Sequence, residues 1–554
     1  MSDSALREAY AAMQGGDLER ARLRLRGLDS PMALHLSALV EKRSGRHQRA
    51  AELFERAGAG DPHNPEIANN QGLNARAMGD HAAAVEAFSR ALAVKPDFAS
   101  ARQSLSRSLV ALERWQEAEE QAHALLAAAP GERKALYTLA SVRLEQGDAE
   151  AADQILSRLI ARGDAAPAIH FVRGRAKLEL DRLEDGISDL QKAYEQAPDE
   201  LALRTLAGVY WMSRQRQAFD TLLARAPAPL GAAVADMLRQ SGEPDAAEER
   251  WRQIPDTHRD TAQAWRVKSN IHQDQGRAGA ALEAAERAVA RDPADPVGVD
   301  LLASAQLMCA RSHEALETAR IMRARQPLAQ NWIALEATAL RQLGAPEYEH
   351  LVRVEEHVRA YELPVPEGYD SLEQFNAEFA AALDRHRRFS FHPLNQSLRR
   401  GAQTARSLTS MQDPVVRAYL AAVDGPIRAY MSQIGRDRDH PLSARNTGEY
   451  TMAGCWSVRL QGGGRHVDHI HPQGWISSAY YAELPEETLS GDSKAGWIRF
   501  GQPPFPCDPP LPAERWIRPK AGTLVLFPSF LWHGTEPIYD GSSRVTAPFD
   551  LVPA

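Results

Sequence analysis

Four side chains of metal-binding type, His466, Asp468, His469 and His471, fall within six consecutive positions of "GGGRHVDHIHPQGW" (462–475). Imidazole and carboxylate are the usual nitrogen and oxygen ligands of first-row metals, and two of them one residue apart at a strand edge can hold one ion together. A further imidazole, His533, closes the apolar run "LVLFPSFLWH" (524–533), and Arg544 follows eleven residues later. Two neutral imidazoles and a carboxylate on one face of Fe(II) leave three positions open, which is the requirement for binding a keto acid and then dioxygen. The residues alone leave two interleaved pairs open, His466 with Asp468 and His469 with His471. They also leave open a Zn or Ni site, or a polar loop that binds nothing.

The elements that must position these groups are short and β-rich. "CWSVRLQ", "WISSAYYAEL", "GWIRFG", "TLVLFP" and "RVTAPFDLV" alternate aromatic or β-branched residues with polar ones and are punctuated by Gly and Pro. Several short strands without intervening helices predict an antiparallel sandwich or barrel. The histidine cluster is expected to follow "CWSVRLQ" across a Gly-Gly-Gly turn and to precede "WISSAYYAEL".

Upstream the period changes. Pro62, Pro96, Pro130 and Pro198, with Asp164 in the fourth place of the series, recur every 34 residues. Small residues recur in the same register: Gly72, Ser106, Ala140, Gly174 and Gly208, then Ala84, Ala118, Ala152 and Gly186. Pro293 and Pro327, with Ala303 and Ala315 between them, repeat the step. Small side chains let two helices of a hairpin approach, and proline stops the second helix. The pattern, over about residues 5–340, resembles the tetratricopeptide repeat, with register lost near "RAPAPLGAAVADML" (225–238). That resemblance implies an all-α solenoid whose concave groove captures a peptide or protein. Between repeats and strands, "SLEQFNAEFAAALDRHRRF" and "PVVRAYLAAVDGPIRAYMSQI" have helical periodicity. The polar, basic "FHPLNQSLRRGAQTARSL" (391–408) is either a loop closing over a site or a solvated connector.

Over 445–554 the order "RHVD", "AYYAEL", "GTLVLFPSFLWH", "SSRVTAPF" resembles the Fe(II)/2-oxoglutarate dioxygenases of the prolyl-hydroxylase type. The resemblance implies a double-stranded β-helix (jelly-roll, cupin-like) with supporting helices, and His533 as the distal iron ligand. It also implies Arg544 paired with the distal carboxylate of 2-oxoglutarate, aided by Tyr481 and Thr546. The prolyl hydroxylases favour His466 and Asp468 as the remaining ligands. The whole chain is also similar to a bacterial group in which tetratricopeptide repeats precede such a domain and H-x-H-P precedes an S-[SG]-x-Y-Y strand. That similarity favours His469 and His471, with Asp468 or His466 orienting a ligand imidazole. A metal alone needs no carboxylate clamp, so Tyr481 and Arg544 argue against a simple Zn or Ni site. Trp456, Trp475 and Trp532 crowd the same motifs, either as walls of a dry pocket or as core.

The formal net charge of −8 gives no reason to expect nucleic acid or an anionic membrane as partner. No run approaches the roughly 18 apolar residues of a membrane span. The three scattered cysteines and an N-terminus without an apolar signal fit a reducing cytoplasm. The expected organisation is a repeat solenoid over 1–343, a helical bridge over 344–440 and an oxygenase domain over 441–554. The expected activity is hydroxylation of a peptide or protein substrate using Fe(II), 2-oxoglutarate and O2, with ascorbate as an optional reductant. The alternatives are a non-catalytic scaffold with a degenerate or sensory barrel, and the same chemistry on a small molecule.

Overall fold

The computed structural model describes residues 2–490, 493–539, 541 and 543–554. The chain forms two compact units, Met1–Ala197 and Pro198–Ala554.

The first unit is built of helical hairpins from Ser2–Gln14 to Leu183–Gln196. Pro62, Pro96, Pro130 and Pro198 each stand two residues beyond a helix end, at Gly60, Val94, Ala128 and Gln196. Within the hairpins Gly79 and Gly147 take φ of 79° and 87°, and Asp80 and Asp148 cap the next helix through the amides of Ala83 and Ala151. The periodic small residues lie where the paired helices cross. A Cβ on Gly72 would stand 2.7 Å from the Phe88 ring, and a Cβ on either Gly174 or Gly186 would meet the other's carbonyl oxygen at 3.0 Å. Ser106 fills the same position by donating to the Ala118 carbonyl at 2.8 Å. Buried Asp189 accepts from Arg173, Lys177 and His170. Burial opposes its ionisation, but these three donors outweigh it and hold the carboxyl at about 2.

The second unit continues the hairpins from Glu200–Met212 to Gln330–Leu343. Around 225–238 the helices shorten: Arg216–Arg225, Gly231–Gln240 and Pro244–Arg252 have 10, 10 and 9 residues, which is where the 34-residue step is lost. The last hairpin helix shares a core with the strands, through Ile333, Ala337 and Leu340.

Eleven strands follow among the described residues. They are β1 (Arg359–Glu362), β2 (Leu398–Gln403), β3 (Tyr450–Cys455), β4 (Val458–His466), β5 (Ile476–Glu483), β6 (Ile498–Phe500), β7 (Arg515–Ile517), β8 (Thr523–Pro528), β9 (His533–Thr535), β10 (Arg544–Thr546) and β11 (Phe549–Pro553). One sheet runs β1-β8-β5-β10-β4-β2, with β11 bridging β5 to β3, and the other runs β7-β6-β9. All pairings are antiparallel. The result is a two-sheet β-sandwich of double-stranded β-helix type carried by helices. Phe375 of the helix Leu372–Arg385 stacks on Phe379, which packs on Tyr419 and on Tyr480 of β5, and the Tyr419 hydroxyl donates to the Ala547 carbonyl at 2.6 Å. Each such buried aromatic contributes roughly 1.5–3 kcal/mol, and together they hold β5 rigidly at the centre of its sheet.

Three local readings differ from the sequence expectation. The segment 391–408 is neither loop nor connector throughout, because β2 lies inside it and pairs with β4. Its alternation is masked by a bulge between Arg399 and Gly401, where Arg400 takes φ 53°. Gly462–Gly464 do not turn; β4 runs through them to His466. A Cβ on Gly464 would lie 2.7 Å from the Arg400 carbonyl, so glycine there lets the bulged strand approach. The second predicted bridge helix is broken at Val423 into Pro414–Ala422 and Asp424–Ile434.

Candidate metal centre

The histidine-rich segment leaves β4 and is stitched back by backbone hydrogen bonds. His469 and His533 form a reciprocal antiparallel bridge at 2.9 and 3.0 Å, and the His471 amide donates to Ser529 at 3.0 Å. The loop is thereby fixed against the end of β8 and the start of β9. Three imidazoles converge as a result: the ring centroids of His469, His471 and His533 are 4.2 to 5.1 Å apart, and a ligand nitrogen from each lies within 4.8 Å of the others.

Each ring is held by its Nδ1 edge. His469 donates to Val467 O and His533 to Leu531 O, both at 2.9 Å, and His471 donates to Asp550 Oδ2 at 2.5 Å. Carbonyl and carboxylate oxygens can only accept, so Nδ1 carries the proton and Nε2 presents its lone pair to the common centre. Burial pushes His469 down to about 3 and His533 well below the ordinary histidine range, so both are neutral at pH 7. Asp550 also accepts from Ser477 Oγ at 2.7 Å, which fixes the carboxylate that fixes His471.

The other two residues of the cluster lie beside this group. His466 stacks 5.8 Å from His469, and the Ser397 hydroxyl stands 3.0 Å from His466 Nδ1 and 3.2 Å from His469 Nε2. Asp468 is gripped by Arg499 Nε and Nη2 at 2.9 and 2.7 Å, and Arg499 also reaches Glu536 at 3.0 Å. Its two oxygens are thus engaged in a forked ion pair away from the three imidazoles.

The centre opens on a cavity of about 860 Å³, whose walls include Tyr481, Arg544 and Thr546. Thr546 of β10 is the register partner of Tyr481 on β5. Arg544 is 2% exposed, donates through Nη1 to the Gly496 carbonyl at 2.8 Å, and places its guanidinium 5.5 Å from the Tyr481 ring centre. Among the described residues it has no acidic partner, and its Nε and the Tyr481 hydroxyl have no hydrogen-bond partner. Burial pushes the Tyr481 phenol up to about 12, so it remains a donor. An uncompensated buried guanidinium is costly, and an anion between it and the phenol would satisfy both. The residues present therefore fit a metal held by three imidazoles next to a carboxylate-bearing ligand.

Of the tryptophans, Trp456 lines the cavity, parallel to His471 at 6.2 Å. Trp475 is fully buried and donates to Leu442 O at 2.7 Å, and Trp532 donates to Thr338 at 2.9 Å and packs on Phe505; neither is among the cavity walls. Ser397 and Asp550 were missed in the sequence. One belongs to a polar stretch and the other is a single acid in an apolar strand, so nothing in their spacing marks them.

Residues 454–550 match the family described as "Putative 2OG-Fe(II) oxygenase". Residues 75–133, and separately 137–201 and 233–296, match tetratricopeptide-repeat families. No curated protein matches the chain. Similar solved structures include the pilF protein of Pseudomonas aeruginosa, at 17% identity over 36% of this chain and 94% of that one, TM-score 0.32. A tetratricopeptide repeat protein from Parabacteroides merdae matches at 14% identity over 50% and 98%, TM-score 0.33. The tetratricopeptide protein TTC0263 of Thermus thermophilus matches at 21% over 35% and 100%, TM-score 0.28. No helix among the described residues is long and apolar enough to cross a membrane.

Proposed function

We propose that this tetratricopeptide-repeat protein, whose C-terminal domain is of the 2-oxoglutarate/Fe(II) oxygenase family, is a dioxygenase that hydroxylates a peptide or protein segment in the cytoplasm. Residues 1–343 recruit the substrate, 344–440 brace the site and lend it strands, and 441–554 carry the chemistry. His469, His471 and His533 would hold Fe(II) through Nε2, and Asp550 behind His471 supplies anionic character that three neutral imidazoles lack. Arg544 would take the distal carboxylate of 2-oxoglutarate through its fork, with Tyr481 and Thr546 as added donors. Bound there, Fe(II) would supply oxygen activation coupled to oxidative decarboxylation of the keto acid to succinate and CO2, and ascorbate would serve as the reductant that keeps it ferrous. The chain's own part is to fix the ligand tautomers, to hold the co-substrate at one end, and to keep bulk water from the inner cavity.

The observation that carries this reading is the unpaired, buried Arg544 beside an unpartnered Tyr481 hydroxyl, in the same cavity as three convergent imidazoles. The peptidyl substrate is supported by the repeats and by Arg239 and Gln240, which bring the helix Gly231–Gln240 to the cavity wall. The iron-loaded, full-length protein incubated with lysate peptides should add one oxygen to a discrete peptide set, only when 2-oxoglutarate is present. Modification that persists without the keto acid, or none in its presence, contradicts the proposal.

A further inference from the structure

We infer that Arg399 forms a second anion site at the cavity mouth, which selects an acidic segment of the peptidyl substrate. The inference rests on the oxygenase reading only for the word substrate; the anion site stands on its own geometry.

The β2–β4 register sets Arg399 directly opposite Arg465, and Arg400 adjoins them on the bulge. Like charges directly opposed across an antiparallel pair destabilise it unless a counter-charge is present. No ion pair is formed by Arg399, Arg400 or Arg465 among the described residues, in a chain that is net acidic by −8 and pairs guanidiniums nearby, those of Arg239, Arg459 and Arg499, with carboxylates. Arg399 Nη1 donates to the carbonyls of Gln396 and Leu398, which orients the side chain and leaves Nε and Nη2 without an acceptor among the described residues. A half-buried fork held in this way is prepared for a carboxylate.

Its location gives the fork a purpose. Arg399 lines the same cavity as the three imidazoles, and Arg239 lines it too. Arg239 is ion-paired with Asp236 and Asp274, whereas Asp274 acts on Arg399 only through space and makes no ion pair with it, so the Arg399 fork is left to an incoming anion. Asp550, the one carboxylate among the described residues of the cavity walls, is already taken by His471 and Ser477. Among the described wall residues a ligand therefore meets guanidiniums and no carboxylate that is free of a partner. Arg544 lies deep and 2% exposed, so the two guanidiniums serve different anions.

The test uses the full-length chain without metal or keto acid, so its result is independent of whether iron chemistry occurs. A fluorescein-labelled peptide with glutamates at alternate positions is compared with its glutamine counterpart by anisotropy. The acidic peptide should bind roughly tenfold more tightly, an advantage that shrinks at high salt. It should fall in Arg399→Gln and return only in part in Arg399→Lys, which restores the charge without the fork. In parallel, the acidic peptide should protect Arg399 of the unmodified chain from phenylglyoxal, mapped by mass spectrometry, which needs no variant to fold. Equal affinities for the two peptides, a preference that survives in folded Arg399→Gln, or protection confined to other arginines would overturn the inference. Failure of the oxygenase reading would leave these binding results unchanged.

Discussion

At the scale of single residues, the centre depends on proton placement. Each imidazole is turned by an oxygen at Nδ1, and for His471 that oxygen belongs to a carboxylate. Asp550→Asn keeps the shape but lets the amide present N–H instead of oxygen to His471, so the tautomer is no longer imposed. Metal affinity is expected to weaken about ten- to a hundredfold, read by anaerobic competition of Mn(II) against a chelator. Unchanged affinity would remove Asp550 from the account. The sequence made the metal-type cluster conspicuous but left its two pairs open. His466 and Asp468, like His469 and His471, are two residues apart, and only the stitching of His469 to His533 and the Arg499 fork on Asp468 separate their surroundings.

At the scale of elements, the 34-residue step was legible because helix crossings impose a size limit that repeats. Gly174 and Gly208 occupy equivalent places in the repeat, yet their surroundings differ. A Cβ at Gly174 would come within 2.9 Å of Leu190 Cγ and 3.0 Å of the Gly186 carbonyl, whereas Gly208 has nothing within 4 Å. Gly174→Val should therefore cost about 1–3 kcal/mol through overpacking. Gly208→Ala should gain about 0.5–1 kcal/mol from helix propensity. Urea midpoints measure both, and equal shifts would show that the crossing at Gly174 is not tight. The short strands β1 and β2 were hidden for the opposite reason. β1 has four residues, and β2 carries a bulge, so neither sustains the alternation by which a strand is read.

At the scale of the whole molecule, the last repeat hairpins and the β-sandwich share apolar cores: Ala303, Leu307 and Trp332 pack with Phe505 and Cys507. Buried histidines make this unit sensitive to acid. Burial, aided by the nearby His440, pushes His357 down to about 3, and burial, aided by Arg399, pushes His392 to about 4. Unfolded, each titrates near 6.5, so below that pH the unfolded chain binds more protons than the folded one and stability falls as pH falls. The loss begins near pH 6.5 and continues toward the folded values. The melting temperature should therefore drop between pH 6.5 and 5, above the range where carboxylates titrate, by on the order of a kcal/mol or more of stability per histidine. A flat melting temperature over that window would mean that these rings become hydrated or protonated without cost.

The central claim is that three imidazoles and one guanidinium define a single metal and keto-acid site, and anaerobic spectroscopy addresses it most directly. Fe(II) followed by 2-oxoglutarate should produce the weak visible charge-transfer band of a chelated keto acid in the full-length protein. His533→Ala should abolish the band, and Arg544→Gln should shift its appearance to much higher keto-acid concentration. No band in the unmodified protein, or an identical titration in Arg544→Gln, would contradict the account.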